Sequence, residues 1–280
     1  MNLVAILLGT LAAGIGSVWL AGLLSFGVLS RYTQHMLSLS AGALMGTAFL
    51  HLLPEAFEST VSPHALFLTL LLGVVFFFLL DKAELWHHGH EHHHGPHDAA
   101  HHDHDHDHDG HAHHHHHDAP GSWAVLAGDS VHCFGDGILI ASAFMADLRL
   151  GIIAALAVLA HEVPHHMGDL VVLGRGASGL QTGQTGQAAR AGQAALVKVS
   201  LAGAVTMLGG LAGYWLVAQL RDYLPYFLVM ASSSFVYVAL ADLIPQLQKR
   251  LSLRQTLAQV SWLFAGMLLV NLVSQFTHNH

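Results

Sequence analysis

The sequence predicts an all-α fold: a polytopic membrane bundle of eight transmembrane helices, with a histidine-rich loop expected to be disordered. Two observations carry this. Hydrophobic residues make up 53% of the 280 positions and charged residues only 10%, a balance few water-soluble domains have. A spanning helix needs roughly 20 mostly apolar residues, and eight such windows follow one another along the chain.

The windows are Leu3 to Leu29, Met36 to Phe57, His64 to Leu85, Ser122 to Leu148, Leu150 to Leu173, Ala194 to Leu220, Leu224 to Gln246 and Leu257 to Phe276. They group into helices 1–3 (1–86), a His-rich loop (87–121), helices 4–5 (122–173), a flexible loop (174–193) and helices 6–8 (194–280). The first window has no basic residues ahead of it and is long for a signal sequence, so it reads as a retained helix. Arg31, Lys82, Arg175, Arg190, Lys198, Lys249, Arg250 and Arg254 lie in or beside the odd-numbered connections, against Arg149 and Arg221 in the even ones. By the positive-inside rule both termini are outside and the His-rich loop is cytoplasmic, in a cell membrane.

The net charge of -8 and 27 histidines point to cations and away from nucleic acid. From His87 to Asp118 the chain is mainly His and Asp, which cannot bury enough apolar surface to fold alone. Its alternating imidazoles and carboxylates offer many overlapping metal sites of low selectivity. The segment Gly174 to Gln193, rich in Gly, Gln, Ala and Ser, reads as a flexible linker. Cys133 is the single cysteine, so no intrachain disulfide forms.

Two spans carry ionisable residues where lipid would not tolerate them. The fourth holds His132-Cys133-Phe134-Gly135-Asp136-Gly137 and the fifth His161-Glu162-Val163-Pro164-His165-His166-Met167-Gly168-Asp169. Such groups cost several kcal/mol at depth unless paired or metal-bound, so they mark a functional site. Positions four apart share a helical face, which joins His132 to Asp136, His161 to His165, Glu162 to His166 and His165 to Asp169. A turn at Asp147-Leu148-Arg149 makes the two spans antiparallel neighbours and sets His132 opposite His165 and Asp136 opposite His161. Three imidazoles and a carboxylate at one depth suit a four-coordinate metal such as zinc. Pro164 is expected to kink the fifth span and free the carbonyl of Ala160, while Gly135 and Gly137 allow close approach to a neighbour.

These runs resemble the His-Asn-x-x-Asp-Gly and His-Glu-x-Pro-His-Glu-x-Gly-Asp motifs of the ZIP family of zinc and iron transporters, and the resemblance extends over nearly the whole chain. It implies an importer of divalent metal, Zn2+ first, with Fe2+, Mn2+ and Cd2+ also compatible, and no organic cofactor. It implies that His132, Asp136, His161 and His165 line the primary site, with Glu162 between it and a second one. It further implies a homodimer in the lipid bilayer whose helices 1, 4, 5 and 6 move against the rest. Asp242 resembles an acidic position on the seventh helix of that family, and His51 and Glu55 resemble a second-helix pattern lining the path. Cys133 stands where the family has asparagine, and His166 where it has glutamate. Two other readings remain open here. His161-Glu162-Val163-Pro164-His165 satisfies the HExxH pattern of intramembrane zinc metalloproteases, and a cation-diffusion-facilitator exporter also combines intramembrane His and Asp with a His-rich loop. No Walker A loop is present to couple ATP.

Overall fold

The computed structural model of the chain describes residues 2–25, 33–89, 121–177, 185–247 and 251–278, and these residues form helices and short turns with no strand among them. Helix α1 comprises Asn2–Leu11, a π-turn at Ala12–Gly16, and Ser17–Ser25. Helix α2 is built the same way from Thr33–Thr47, a π-turn at Ala48–Leu52, and Leu53–Phe57. Then come α3 (Pro63–Gly89), α4 (Gly121–Ala146), α5 (Leu148–Ala177), α6 (Thr185–Gln219), α7 (Leu224–Leu247) and α8 (Leu253–His278). In a hydrocarbon environment only a helix pairs all its own backbone groups within one segment, so long apolar runs take this form.

Among the described residues, seven stretches are long and apolar enough to cross a membrane: Leu3–Leu24, Gln34–Phe57, Pro63–Lys82, Leu148–Leu170, Gly192–Gln219, Arg221–Pro245 and Leu253–Thr277. The remaining expected span, Ser122 to Leu148, corresponds to the 26-residue helix α4. Within the segment expected to be a flexible linker, Gly174 to Gln193, the described residues at both ends are helical. Helix α5 runs on to Ala177 and α6 starts at Thr185, where the alanines and glutamines of 187–195 favour helix. Most of the His-rich tract, 90–120, lies outside the described residues.

Local chemistry fixes the joints. Asp147 separates α4 from α5 and caps α5, its Oδ1 accepting from the backbone N–H of Arg149 at 2.8 Å and of Leu150 at 3.4 Å. One capping residue therefore folds α4 back along α5. Pro164 lies inside α5, and the helix continues through it.

The helices pack as two sets. α1, α4, α5 and α6 form one, with the broadest contact between α4 and α6; α2, α3, α7 and α8 form the other, centred on α2 against α8 and α7. Between α4 and α6 the backbones touch: a Cβ on Gly137 would collide with the Thr206 carbonyl, and one on Gly209 with that of Phe134. Such close approach is what small residues permit in membrane helices. Gly135 faces open space, so only the second of the two glycines serves the packing. The sets meet along α2–α5, α5–α8, α4–α7 and α3–α4. An apolar cavity of about 690 Å³, lined by Leu20, Leu39, Ile153, Leu156, Trp262 and Val270 among others, lies on this seam.

Candidate metal site

Helix α4 contributes Asp129, His132, Cys133 and Asp136, a single stripe at i, i+3, i+4 and i+7. Helix α5 answers with His161, Glu162, His165, His166 and Asp169, at i, i+1, i+4, i+5 and i+8. His132 lies 11 residues into α4, roughly 17 Å from its start at 1.5 Å per residue, and so near its middle. Asp129, Asp136, His161, Glu162 and His166 are all buried.

The three imidazoles expected at one depth stand at the corners of a nearly equilateral triangle. Ring centroids are 5.6 Å apart for His132–His161, 5.8 Å for His132–His165 and 5.9 Å for His161–His165. Their nitrogens divide between two groups: those of His132 and His161 gather with Glu162, and that of His165 with Asp129 and Asp169. Carboxylates surround the triangle. His132 Nε2 is 3.4 Å from Glu162 Oε1 and 3.9 Å from Asp136 Oδ2; His161 Nδ1 is 3.3 Å from Asp242 Oδ2; His165 Nδ1 is 3.5 Å from Asp169 Oδ2. Asp242 on α7 thus reaches the site across the seam between the two helix sets.

Among the described residues, three groups of ligand atoms lie within 4.8 Å of one another: His132, His161 and Glu162; Asp129, Cys133, Glu162 and His166; and Asp129, His165 and Asp169. The second is wholly buried. His166 Nε2 lies 3.1 Å from Glu162 Oε2 and 3.7 Å from Asp129 Oδ1, and Cys133 Sγ lies 3.7 Å from Asp129 Oδ1. Glu162 belongs to two groups and links them. His132 Nε2, His161 Nδ1 and Nε2, His166 Nε2, Asp129 Oδ2 and both Glu162 oxygens are buried without a hydrogen-bond partner. Buried polar atoms are ordinarily satisfied, and atoms of this kind pointing at common centres are what a cation would bind.

Beside the triangle lies a cavity of about 280 Å³, lined by His132, His161, His165 and Asp129 on one wall and by Asp81, Tyr237 and Asp242 on the other. Tyr237 donates to Asp81 Oδ2 at 2.8 Å, tying α7 to α3 there. His165 is the most exposed of the three imidazoles, at 45% of its side chain, and His161 the least, at 5%.

The structure does not bring His51 and Glu55 into this cluster. His51 is buried in the π-turn of α2, Glu55 is exposed, and neither belongs to any of the three groups. Asp129, which sequence reasoning passed over, does belong. Its signal was its position four residues before Cys133 within an apolar helix.

The fold and the cluster define a class: a polytopic helical membrane protein that gathers metal-ligand side chains at the middle of its bundle. The family model of the ZIP zinc transporters matches residues 1–274, and the chain belongs to that family. Zinc transporter ZIP13 of Pongo abelii is 26% identical over a match covering 96% of this chain and 78% of that protein. Zinc transporter ZIP4 of Homo sapiens is 27% identical, covering 80% of this chain and 40% of that protein. Zinc transporter ZIP10 of Homo sapiens is 32% identical over 45% of this chain, which spans 14% of its length. ZIP proteins are transporters, so the HExxH pattern at 161–165 is not that of a protease, and the chain is not an enzyme.

Proposed function

We propose that the protein carries divalent metal, Zn2+ foremost, across a cell membrane into the cytoplasm through the cluster between α4 and α5. The gathering of His132, His161 and Glu162 ligand atoms within 4.8 Å, with the His165 ring beside them, supports this most directly. His132, Asp136, His161 and His165, with Glu162, form the transport site; Asp129, Cys133, Glu162 and His166 form a second subsite sharing Glu162. Imidazole and thiolate donors favour zinc over the harder alkaline-earth ions. Fe2+, Mn2+ and Cd2+ are the competitors to test.

Helix α4 is the eighth span in this reading, its polar stripe turned to α5 and away from lipid. Both termini are outside and the His-rich connection between α3 and α4 is cytoplasmic, which follows the distribution of Lys and Arg. The cavity bounded by Asp81, Tyr237 and Asp242 is then the way out, leading the ion from imidazoles to carboxylates and on toward the His-rich loop. Movement of the set α1, α4, α5 and α6 against the other, in a homodimer, carries the site between the two faces. Zn2+ uptake into proteoliposomes containing a zinc-sensitive dye tests the assignment. Downhill uptake by the parent, abolished by His161→Ala and by His165→Ala, is the expected result; normal uptake by both variants overturns it.

A further inference from the structure

The buried subsite has a support from outside the α4–α5 hairpin. Ser17 begins the helical segment that follows the π-turn of α1, and its side chain is fully buried. Its Oγ donates to the carbonyl of Gly14 at 2.5 Å and lies 3.0 Å from His166 Nδ1. A hydroxyl has one proton, and here the Gly14 carbonyl takes it. The remaining contact is therefore a donation from His166 Nδ1–H to the Ser17 lone pair. That leaves Nε2 to face Asp129 and Glu162, whose oxygens lie at 3.7 and 3.1 Å.

We infer that Ser17 is a positioning residue: it holds His166 in the Nδ1–H tautomer so that Nε2 presents its lone pair to a divalent cation shared with Cys133, Asp129 and Glu162. In the other tautomer the lone pair would point at Ser17, and Nε2–H would occupy the place of the metal. A metal-bound histidine is ordinarily held by a partner on its second nitrogen, usually a carboxylate or a carbonyl; a serine hydroxyl can play that part only because its own proton is engaged elsewhere. The Gly14 carbonyl does this, and its height in the bundle is set by packing. A Cβ on Gly14 would collide with the backbone of Gly203 and the hydroxyl of Thr206, so α1 lies directly on α6 at this level. The π-turn, which shifts the face of a helix by one residue, brings Ser17 round to α5.

The inference rests on the second subsite proposed above, and cobalt separates the two. Cys133 is the only cysteine, so in the full-length protein in detergent any thiolate-to-cobalt absorption band reports this subsite alone, whatever Co2+ the histidine tract binds. Titration of the parent with Co2+ should give that band, with the thiol proton released on coordination. Ser17→Ala should weaken the binding about ten- to a hundred-fold, and should cost nothing further when His166→Ala is already present, since Ser17 acts through that ring. Ser17→Thr and Ser17→Val add the same bulk; only the threonine, which keeps the hydroxyl, should bind Co2+ the more tightly of the two. A Ser17→Ala variant that binds within twofold of the parent, a loss that persists in the His166→Ala background, or equal binding by Thr and Val overturns the role of Ser17. No thiolate band in the parent, or one that His166→Ala leaves unchanged, removes the subsite itself.

Discussion

Glu162→Gln tests the shared carboxylate. Glu162 is 1% exposed and stands between His132 Nε2 at 3.4 Å and His166 Nε2 at 3.1 Å, so the change keeps the side-chain shape while removing one negative charge from both groups. Groups that support a metal site are worth about 10- to 100-fold in affinity, and Glu162 is shared by both groups, so the loss is expected at the upper end, about a hundredfold per ion. The assay is metal-induced thermal stabilisation in detergent, beside proteoliposome uptake. At a metal concentration of about 100 Kd the parent gains about 2.7 kcal/mol; a hundredfold weaker site at that concentration gains about 0.4 kcal/mol. Stability without metal should hold or rise, because a buried carboxylate beside Asp129 and Asp136 has been neutralised. A variant that keeps the parent's metal-induced shift, or that transports Zn2+ at the parent's rate, would refute the bridging role.

Other outcomes follow from the same geometry. Deleting 87–118 should alter the rate or regulation of Zn2+ uptake while leaving it measurable in proteoliposomes, since the triangle lies entirely on α4 and α5. Protons compete with metal for imidazole nitrogen, so uptake should fall as pH is lowered from 7 to 5; a steady rise over that range would contradict ligation by histidine. Gly137→Ala should lower stability by about 1–3 kcal/mol because its Cβ meets α6 backbone that has no side chain to move aside. Gly135→Ala, facing open space, should change melting by less than the resolution of the measurement. Asp242→Asn should slow Zn2+ uptake while leaving the cobalt–thiolate band at Cys133 in place, because Asp242 touches His161 and belongs to none of the groups containing Cys133.

Much of this was legible in the chain because membrane helices announce themselves by composition. The turn at Asp147 and the facing of His132 to His165 follow from counting back along an antiparallel pair. The same counting set the 26-residue helix α4 beside α5. Asp129 escaped because its importance comes from His166, a residue on another helix. Ser17 carried no signal at all: a small hydroxyl in an apolar run is common, and its partner lies 149 positions away. The π-turns in α1 and α2 are likewise products of packing between helices and leave no pattern in their own short sequences.

The backbone contact between Gly137 and α6 governs where this molecule can yield. Where two main chains touch there are no rotamers to exchange, so that pair of helices has no neighbouring arrangement to slip into and behaves as one stiff beam. Compliance is left to the boundary with α2 and α8, where side chains enclose empty apolar volume. His132, Cys133 and Asp136 sit on that beam, so their place against α6 is held by backbone contact and not by the fit of side chains.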